Sequence, residues 1–192
     1  MRARRAPLAG ALLLLAAAGL LLGRDAFLET KGLVARRLIG RAFAAHLRDG
    51  RFHRPWSWAD TAPIALLEVR RLGVRRSVLA GASGTSLAFG LGHIDGTAPP
   101  NAPGNCVLAG HRDGEMAFLE RIRPGDVLRL RTAGASRDYV VDGIRVVART
   151  DIAPLRAADA YRLTLVTCYP FGGLLRSPWR YVVTAARPIT DP

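Results

Sequence analysis

Lysine is nearly missing from this chain. Lys31 is the only one, so the formal charge of +13 over 192 residues is carried by arginine, a bias that GC-rich coding imposes and that by itself says nothing about binding. The arginines are scattered as Arg36-Arg37, Arg70-Arg71, Arg75-Arg76 and Arg129 to Arg131 among apolar residues, without interleaved aromatics. A nucleic-acid groove needs such aromatics beside its cations, so no nucleic-acid partner is expected. An anionic membrane surface suits the charge better. Carboxylates are few and dispersed, and no paired His or Cys spacing is present, so no metal is expected. The glycines of 81–84 and 90–96 are not followed by Lys-Ser or Lys-Thr, which removes a phosphate cradle. No cofactor is expected, and no internal repeat or low-complexity tract follows the first two dozen residues.

The amino terminus has what the rest lacks, a long apolar run. Met1-Arg2-Ala3-Arg4-Arg5 precedes uninterrupted apolar residues and glycine from Ala6 to Gly23, closed by Arg24. About 18 residues is the lower limit for crossing a bilayer and just exceeds a signal-peptide core. Ala16-Ala17-Ala18 offers a cleavage site, yet Leu20-Leu21-Leu22 carries the apolar run past it. Residues 1–24 therefore read as an uncleaved signal anchor crossing the membrane once, with the positive leader in the cytoplasm and the chain from 25 onward outside.

Residues 25–55 read as a juxtamembrane helix and linker. Val34, Ala35, Leu38, Ala42 and Ala45 recur at helical spacing while Arg37, Arg41 and Arg48 gather on a neighbouring face, which predicts an amphipathic helix over 28–47 with Phe43 off its apolar stripe. Such a helix packs on the following domain, lies on the membrane or spaces the two apart; the spacer is the favoured reading. Breakers from Gly50 to Pro55 end it, and His46 and His53 are expected to be solvated.

The remaining 56–192 is long enough for one domain with one core. Short β-like runs dominate it, at 64–72, 74–79, 105–110, 127–131, 138–147, 163–167 and 180–184, with one short helix at 115–122 and a proline-rich loop at 98–104. This is a mostly β fold, a barrel or a sandwich.

Three of these runs carry chemistry at their ends. Cys168 follows Leu163-Thr164-Leu165-Val166-Thr167, His111 follows the run from Asn105 to Gly110, and Arg180 opens Tyr181-Val182-Val183-Thr184. A thiol needs a nearby imidazole or cation to attack as thiolate, the leaving amine needs a proton donor, and an oxyanion needs a fixed positive group. Taken singly, each residue has a plainer reading, as a buried thiol, a polar turn residue and a surface arginine. The other cysteine, Cys106, is either a disulfide partner of Cys168 or a buried hydrophobe. Alternation favours the second, because Cys106 shares a face with Leu108 and Gly110 while His111 shares the opposite one with Val107 and Ala109.

The segments Thr164-Leu165-Val166-Thr167-Cys168 and Leu108-Ala109-Gly110-His111-Arg112 resemble the TLxTC and AGHR segments of sortases. Gly92 to Ala98 followed by Gly104-Asn105, then Arg123-Pro124-Gly125-Asp126, then Arg180 to Val183, match the family in the same order, over roughly residues 56–184. Trp58-Ala59-Asp60-Thr61 and Cys168-Tyr169-Pro170-Phe171 resemble most the sortases of Gram-negative proteobacteria. The resemblance implies a closed barrel of about eight strands and a periplasm-facing, membrane-anchored cysteine transpeptidase. Its substrate would be an exported protein with an LPxTG-like C-terminal sorting signal, joined to an amine acceptor that the sequence does not identify. Cys168 would be the nucleophile, His111 the proton carrier and Arg180, chosen over Arg176 in the preceding loop, the oxyanion support. His93 would have a supporting or substrate-loop role. A cysteine peptidase hydrolysing the same signal and a non-catalytic surface assembly module stay open as alternatives.

Overall fold

In the computed structural model, which describes residues 5–173 and 177–188, the strands follow the periodicity of two that their sequences carry. Strand β1 (Pro63–Val69) buries Pro63, Ala65, Leu67 and Val69 and leaves the residues between them half-exposed. It turns through a 3₁₀ turn at Arg70–Leu72 into β2 (Val74–Leu79), and Gly73 makes that turn possible at φ 63°, a left-handed conformation that costs glycine little. A short helix α2 (Gly84–Leu87), capped by Ser83 Oγ, leads to β3 (Leu91–His93). Then come β4 (Asn105–Ala109), β5 (Val127–Arg131), β6 (Ser136–Ala148), β7 (Arg162–Tyr169) and β8 (Trp179–Ala186).

The eight strands close into a barrel in the order β1-β2-β3-β4-β7-β8-β6-β5. The β2–β3 and β4–β7 pairs are parallel, the others antiparallel. Leu67, Val78, Leu108, Leu130, Leu165 and Val183 are among the side chains filling its interior. The barrel expected from the family resemblance is the one observed.

Several details differ from expectation. Strand β3 is absent from the runs that alternation predicts, because it is three residues long and centred on glycine. A Cβ at Gly92 would stand 2.7 Å from both the Ala82 Cα and the Gly81 carbonyl oxygen, so only glycine fits this close approach. The short helix expected at 115–122 is a 3₁₀ helix, over Ala117–Arg121. Helix α1 is one element, Arg5–Asp49, instead of a separate piece at 28–47, and it ends at Gly50 with φ 71°.

The chain divides into two compact units, residues 1–37 and 38–192. Within the second, the last turns of α1 bury Ile39, Ala42, Phe43 and His46. Phe43 therefore belongs to the buried stripe, because i, i+3, i+4 and i+7 spacing from Ile39 selects it in place of Ala45. The expectation of a solvated His46 is also overturned. It is 6% exposed, pairs through Nδ1 with the Arg51 carbonyl at 2.9 Å and stacks on Phe52 with ring centroids 5.1 Å apart. His53 is bonded to Asp49 at 2.8 Å. The anchor expected over 1–24 falls largely on side chains outside the described residues; among the described residues no helix is long and apolar enough to cross a membrane.

The Arg123-Pro124-Gly125-Asp126 segment folds as a turn in which the Asp126 carboxylate accepts from Arg123 N at 2.8 Å and from a two-pronged Arg71 guanidinium. Arg71 also reaches the Arg121 carbonyl at 2.8 Å, so one fork ties the β1–β2 turn to the β5 entry. The Arg71 bonds hold the Asp126 carboxyl below its ordinary value of 3.8, with help from the Arg123 amide. A carboxyl so held contributes stability that is complete above its ordinary value and is lost as pH falls through the folded one. Asp126→Asn is expected to lower the melting temperature at pH 7 by about 3–8 °C. The deficit should shrink below about pH 3.8, which melting curves followed by circular dichroism between pH 7 and 3 will check.

Candidate active site

Register decides which residues meet. Parallel pairing sets Cys106 beside Leu163, Leu108 beside Leu165 and Ala109 beside Val166. Antiparallel pairing sets Leu163 beside Ala185, Leu165 beside Val183 and Cys168 beside Arg180. Partners directly abreast point to the same face of a sheet. Cys106, Leu108, Leu163, Leu165, Val183 and Ala185 form the inward rows. The outward rows are then Val107, Thr164 and Thr184, followed by Ala109, Val166 and Val182.

The next outward row is His111, Cys168 and Arg180. Two contacts carry the β4 register past its last paired residue: Gly110 N donates to the Val166 carbonyl at 3.3 Å, and Thr167 Oγ1 donates to the Gly110 carbonyl at 2.7 Å. His111 thus leaves β4 abreast of Cys168. The outer face is covered at its lower end, where Asn105 Nδ2 donates to the Pro154 and Arg156 carbonyls at 2.9 and 3.0 Å. It opens upward, with Val107 and Thr164 fully buried, Ala109 and Val166 half-buried, Cys168 and Arg180 half-buried and His111 exposed. The three groups therefore stand at the open end of a largely apolar outer face, where a thiol is accessible without being fully hydrated.

Their side chains are not hydrogen-bonded to one another among the described residues. Arg180 Nη1 instead donates to the Ser177 and Trp179 carbonyls, at 3.3 and 3.0 Å. On the inward side of the same strand ends, Tyr169, Phe171 and Tyr181 form a cluster with centroids 5.1–6.2 Å apart. Burial raises the Tyr181 hydroxyl above its usual value, so it stays a neutral packing group. That cluster stiffens the two strands holding the sulfur and the guanidinium.

His93 lies outside this row. It pairs with Leu108 in β3, and its Nε2 bonds the Ala98 carbonyl at 2.9 Å and Thr97 Oγ1 at 3.1 Å, which closes its own loop. Arg176 lies outside the described residues. Cys106 is a core residue, as alternation predicts. It is 1% exposed, its thiol is pushed up to about 12 by burial, and both cysteines are free. Arg112 received no role from the sequence. Its side chain is only 10% exposed and its guanidinium donates to the Gly173 carbonyl in the β7–β8 loop. Its place directly after His111 was the available signal. Clefts lined by Arg71, Asp126 and Arg129, and by Arg137 and Arg187, lie elsewhere and include none of the three row residues.

A family described as Sortase domain matches residues 67–188. The chain belongs to the sortase family. Sortase D of Bacillus subtilis (strain 168) is 28% identical to it over 123 residues, which make up 64% of this chain and 62% of that protein. This sortase thus spans less than two thirds of that relative's length. Sortase A from Corynebacterium diphtheriae superposes with a TM-score of 0.62 at 27% identity, over 70% of this chain and 65% of the other. A Clostridium perfringens Sortase D5 transpeptidase superposes with a TM-score of 0.67, over 80% of this chain and 98% of the other. At 23% identity that second likeness establishes the fold alone.

The two cysteines of this sortase differ in access and in burial, so iodoacetamide at pH 8 is expected to add once per folded chain, at Cys168, and twice after unfolding in guanidinium. Intact mass and peptide mapping check this, and a Cys106 adduct in the folded protein would contradict the burial described here.

Proposed function

We propose that this sortase is a cysteine transpeptidase acting on the C-terminal sorting signal of another exported protein. The observation that carries the proposal is the row His111, Cys168 and Arg180 across three adjacent strands at the open end of the outer face. In the first half-reaction the Cys168 thiolate adds to the carbonyl carbon of a threonine–glycine bond in an LPxTG-like signal. The tetrahedral oxyanion is held by the Arg180 guanidinium. Collapse breaks the C–N bond, the departing glycine amine takes a proton from the His111 imidazolium, and a thioester remains on Cys168.

In the second half-reaction an amine attacks the thioester and His111, now neutral, takes up its proton. The C–S bond breaks, the thiolate returns and a new amide is made. Water in place of the amine gives the acid, so a peptidase and a transpeptidase differ here only in the acceptor. The affinity to Gram-negative proteobacterial sortases rests on Trp58-Ala59-Asp60-Thr61 and Cys168-Tyr169-Pro170-Phe171. With the apolar run from Ala6 to Gly23 behind an arginine-rich leader, it supports a single-pass inner-membrane protein whose catalytic unit faces the periplasm.

Incubation of the full chain in detergent with an LPETG peptide and hydroxylamine is expected to give the hydroxamate and the released glycine fragment, with a Cys168-linked thioester visible by mass. Replacing Cys168 with alanine should abolish both products. His111→Ala and Arg180→Ala should each lower kcat/KM by about a hundredfold or more. Acid without hydroxamate at any hydroxylamine concentration would establish the peptidase instead, and unchanged function after Cys168→Ala would establish a non-catalytic assembly module.

Localisation has its own test. After cell fractionation the full chain should stay with the inner membrane through carbonate washing, and the chain starting at residue 25 should not.

A further inference from the structure

We propose that Arg112 is a positioning residue, clamping the loop between the nucleophile strand and the Arg180 strand onto the turn that carries His111. The inference rests on the row described above being the active site. It starts from an inversion of exposure. His111 is exposed and the Asp113 side chain is 63% exposed, yet the Arg112 side chain between them is 10% exposed. Burying a guanidinium is costly unless acceptors surround it, so its direction is not that of a solubilising surface charge.

Its acceptors name its task. Nε donates to Asp113 Oδ2 at 3.2 Å, which holds the side chain against its own turn. Nη2 donates to the carbonyl of Gly173, 61 residues away in sequence and five residues past Cys168. The loop is shaped to receive it. A Cβ on Gly173 would lie 3.0 Å from Arg112 Nη1, 3.3 Å from its Cζ and 3.2 Å from the Pro170 carbonyl oxygen, so a side chain there would push the guanidinium away. Gly172 just before it has φ 67°.

The far side of the same loop is pinned as well, by Arg180 on the Ser177 carbonyl and by Arg149 N on the Pro178 carbonyl at 2.6 Å. Gly173 and Ser177 are therefore each held by a guanidinium, one beside the proton carrier and one that is itself in the row. Releasing the Arg112 contact frees Gly172 and Gly173 on the segment that leads out of Cys168, and small misplacements of reacting groups cost rate steeply.

The test uses full-chain protein in detergent with the LPETG peptide and hydroxylamine, comparing Arg112→Ala, Arg112→Lys, Gly173→Ala and the double variant Arg112→Ala/Gly173→Ala. Arg112→Ala is expected to lower kcat by about tenfold to a hundredfold with KM changed by less than about threefold. Lysine, which brings the charge without the planar fork, should recover part of the loss. Gly173→Ala should resemble Arg112→Ala, and the double variant should be no slower than the worse single one, because both break the same contact. Multiplying losses, or an Arg112→Ala kcat within twofold of the parent, overturns the proposal.

Iodoacetamide labelling of Cys106 reports whether a variant has lost its core; if Arg112→Ala has, Arg112→Lys and Gly173→Ala carry the comparison. If the parent protein leaves the peptide intact, the transpeptidase reading has failed separately. Hydrogen exchange at Gly172 and Gly173 then decides the clamp. Faster exchange there in Arg112→Ala, with β4 and β7 still protected, supports it, and unchanged exchange refutes it.

Discussion

The parallel pairing of β4 with β7 is the constraint on which the site depends. The two strands are joined by no hairpin, and 52 residues separate Ala109 from Arg162, so no local turn sets their register. Side chains set it instead. Thr164 Oγ1 donates to Asn105 Oδ1 at 2.7 Å, the Asn105 amide is spent on two backbone carbonyls, and Thr167 Oγ1 reaches the Gly110 carbonyl. Asn105, Thr164 and Thr167 are buried and each is hydrogen-bonded, so a slip would leave buried polar groups without partners. A slip of one residue would also send Leu163 and Leu165 outward and turn Cys168 into the barrel. Core burial and polar satisfaction thus select the same register, the one that puts an imidazole, a sulfur and a guanidinium in line.

Parity along a strand likewise separates the two thiols. Cys106 and Cys168 lie on neighbouring strands of the same sheet, but one occupies an inward row and the other an outward one. Inside, desolvation alone raises the Cys106 thiol to about 12, which keeps it protonated and unreactive. Outside, Cys168 sits half-buried at the rim between a histidine and an arginine. No disulfide is needed to explain a paired count of cysteines. Geometry gives one of them to packing and leaves the other accessible.

Periodic elements were legible in the sequence where they were long enough to repeat. Val74–Leu79 and Val127–Arg131 have the bounds that alternation predicts, and the inward placement of Cys106 followed from counting residues along one strand. The barrel did not follow from periodicity, which fits a sandwich equally well; the family resemblance selected it. Features governed by distant contacts were missed. Strand β3 has only three residues and exists because backbone from 81–82 and from β4 flanks it. His46 looked like a surface residue because the helical stripe was counted through Ala45, whereas Phe43 and Phe52 enclose its ring from both sides. Arg112 is indistinguishable in the sequence from a surface arginine, since its partner is a backbone carbonyl in a loop whose fold the sequence does not announce. The alignment of His111, Cys168 and Arg180 was inferred from three strand ends, but the pairing that brings them abreast is a property of the sheet.

Arg180 is held in a way that suits the proposed reaction. Its guanidinium rests on two neutral carbonyls, Ser177 and Trp179, and, among the described residues, not on a carboxylate. A substrate carbonyl reaching the row would be another neutral acceptor, so it would have little advantage over the two already bound. The oxyanion formed after thiolate attack is different, because hydrogen bonds to a charged acceptor are roughly twice as strong as those between neutral groups. Exchange of Arg180 from loop carbonyl to substrate oxygen is then favoured mainly once negative charge develops, which is differential binding of the transition state over the ground state. A salt bridge in the resting site would have erased that difference, since the oxyanion would have had to displace an equal charge. The loop carbonyls keep the arginine oriented without an ion pair among the described residues, so in the proposed reaction the selectivity for the reacting state would come from the weakness of the contacts Arg180 gives up.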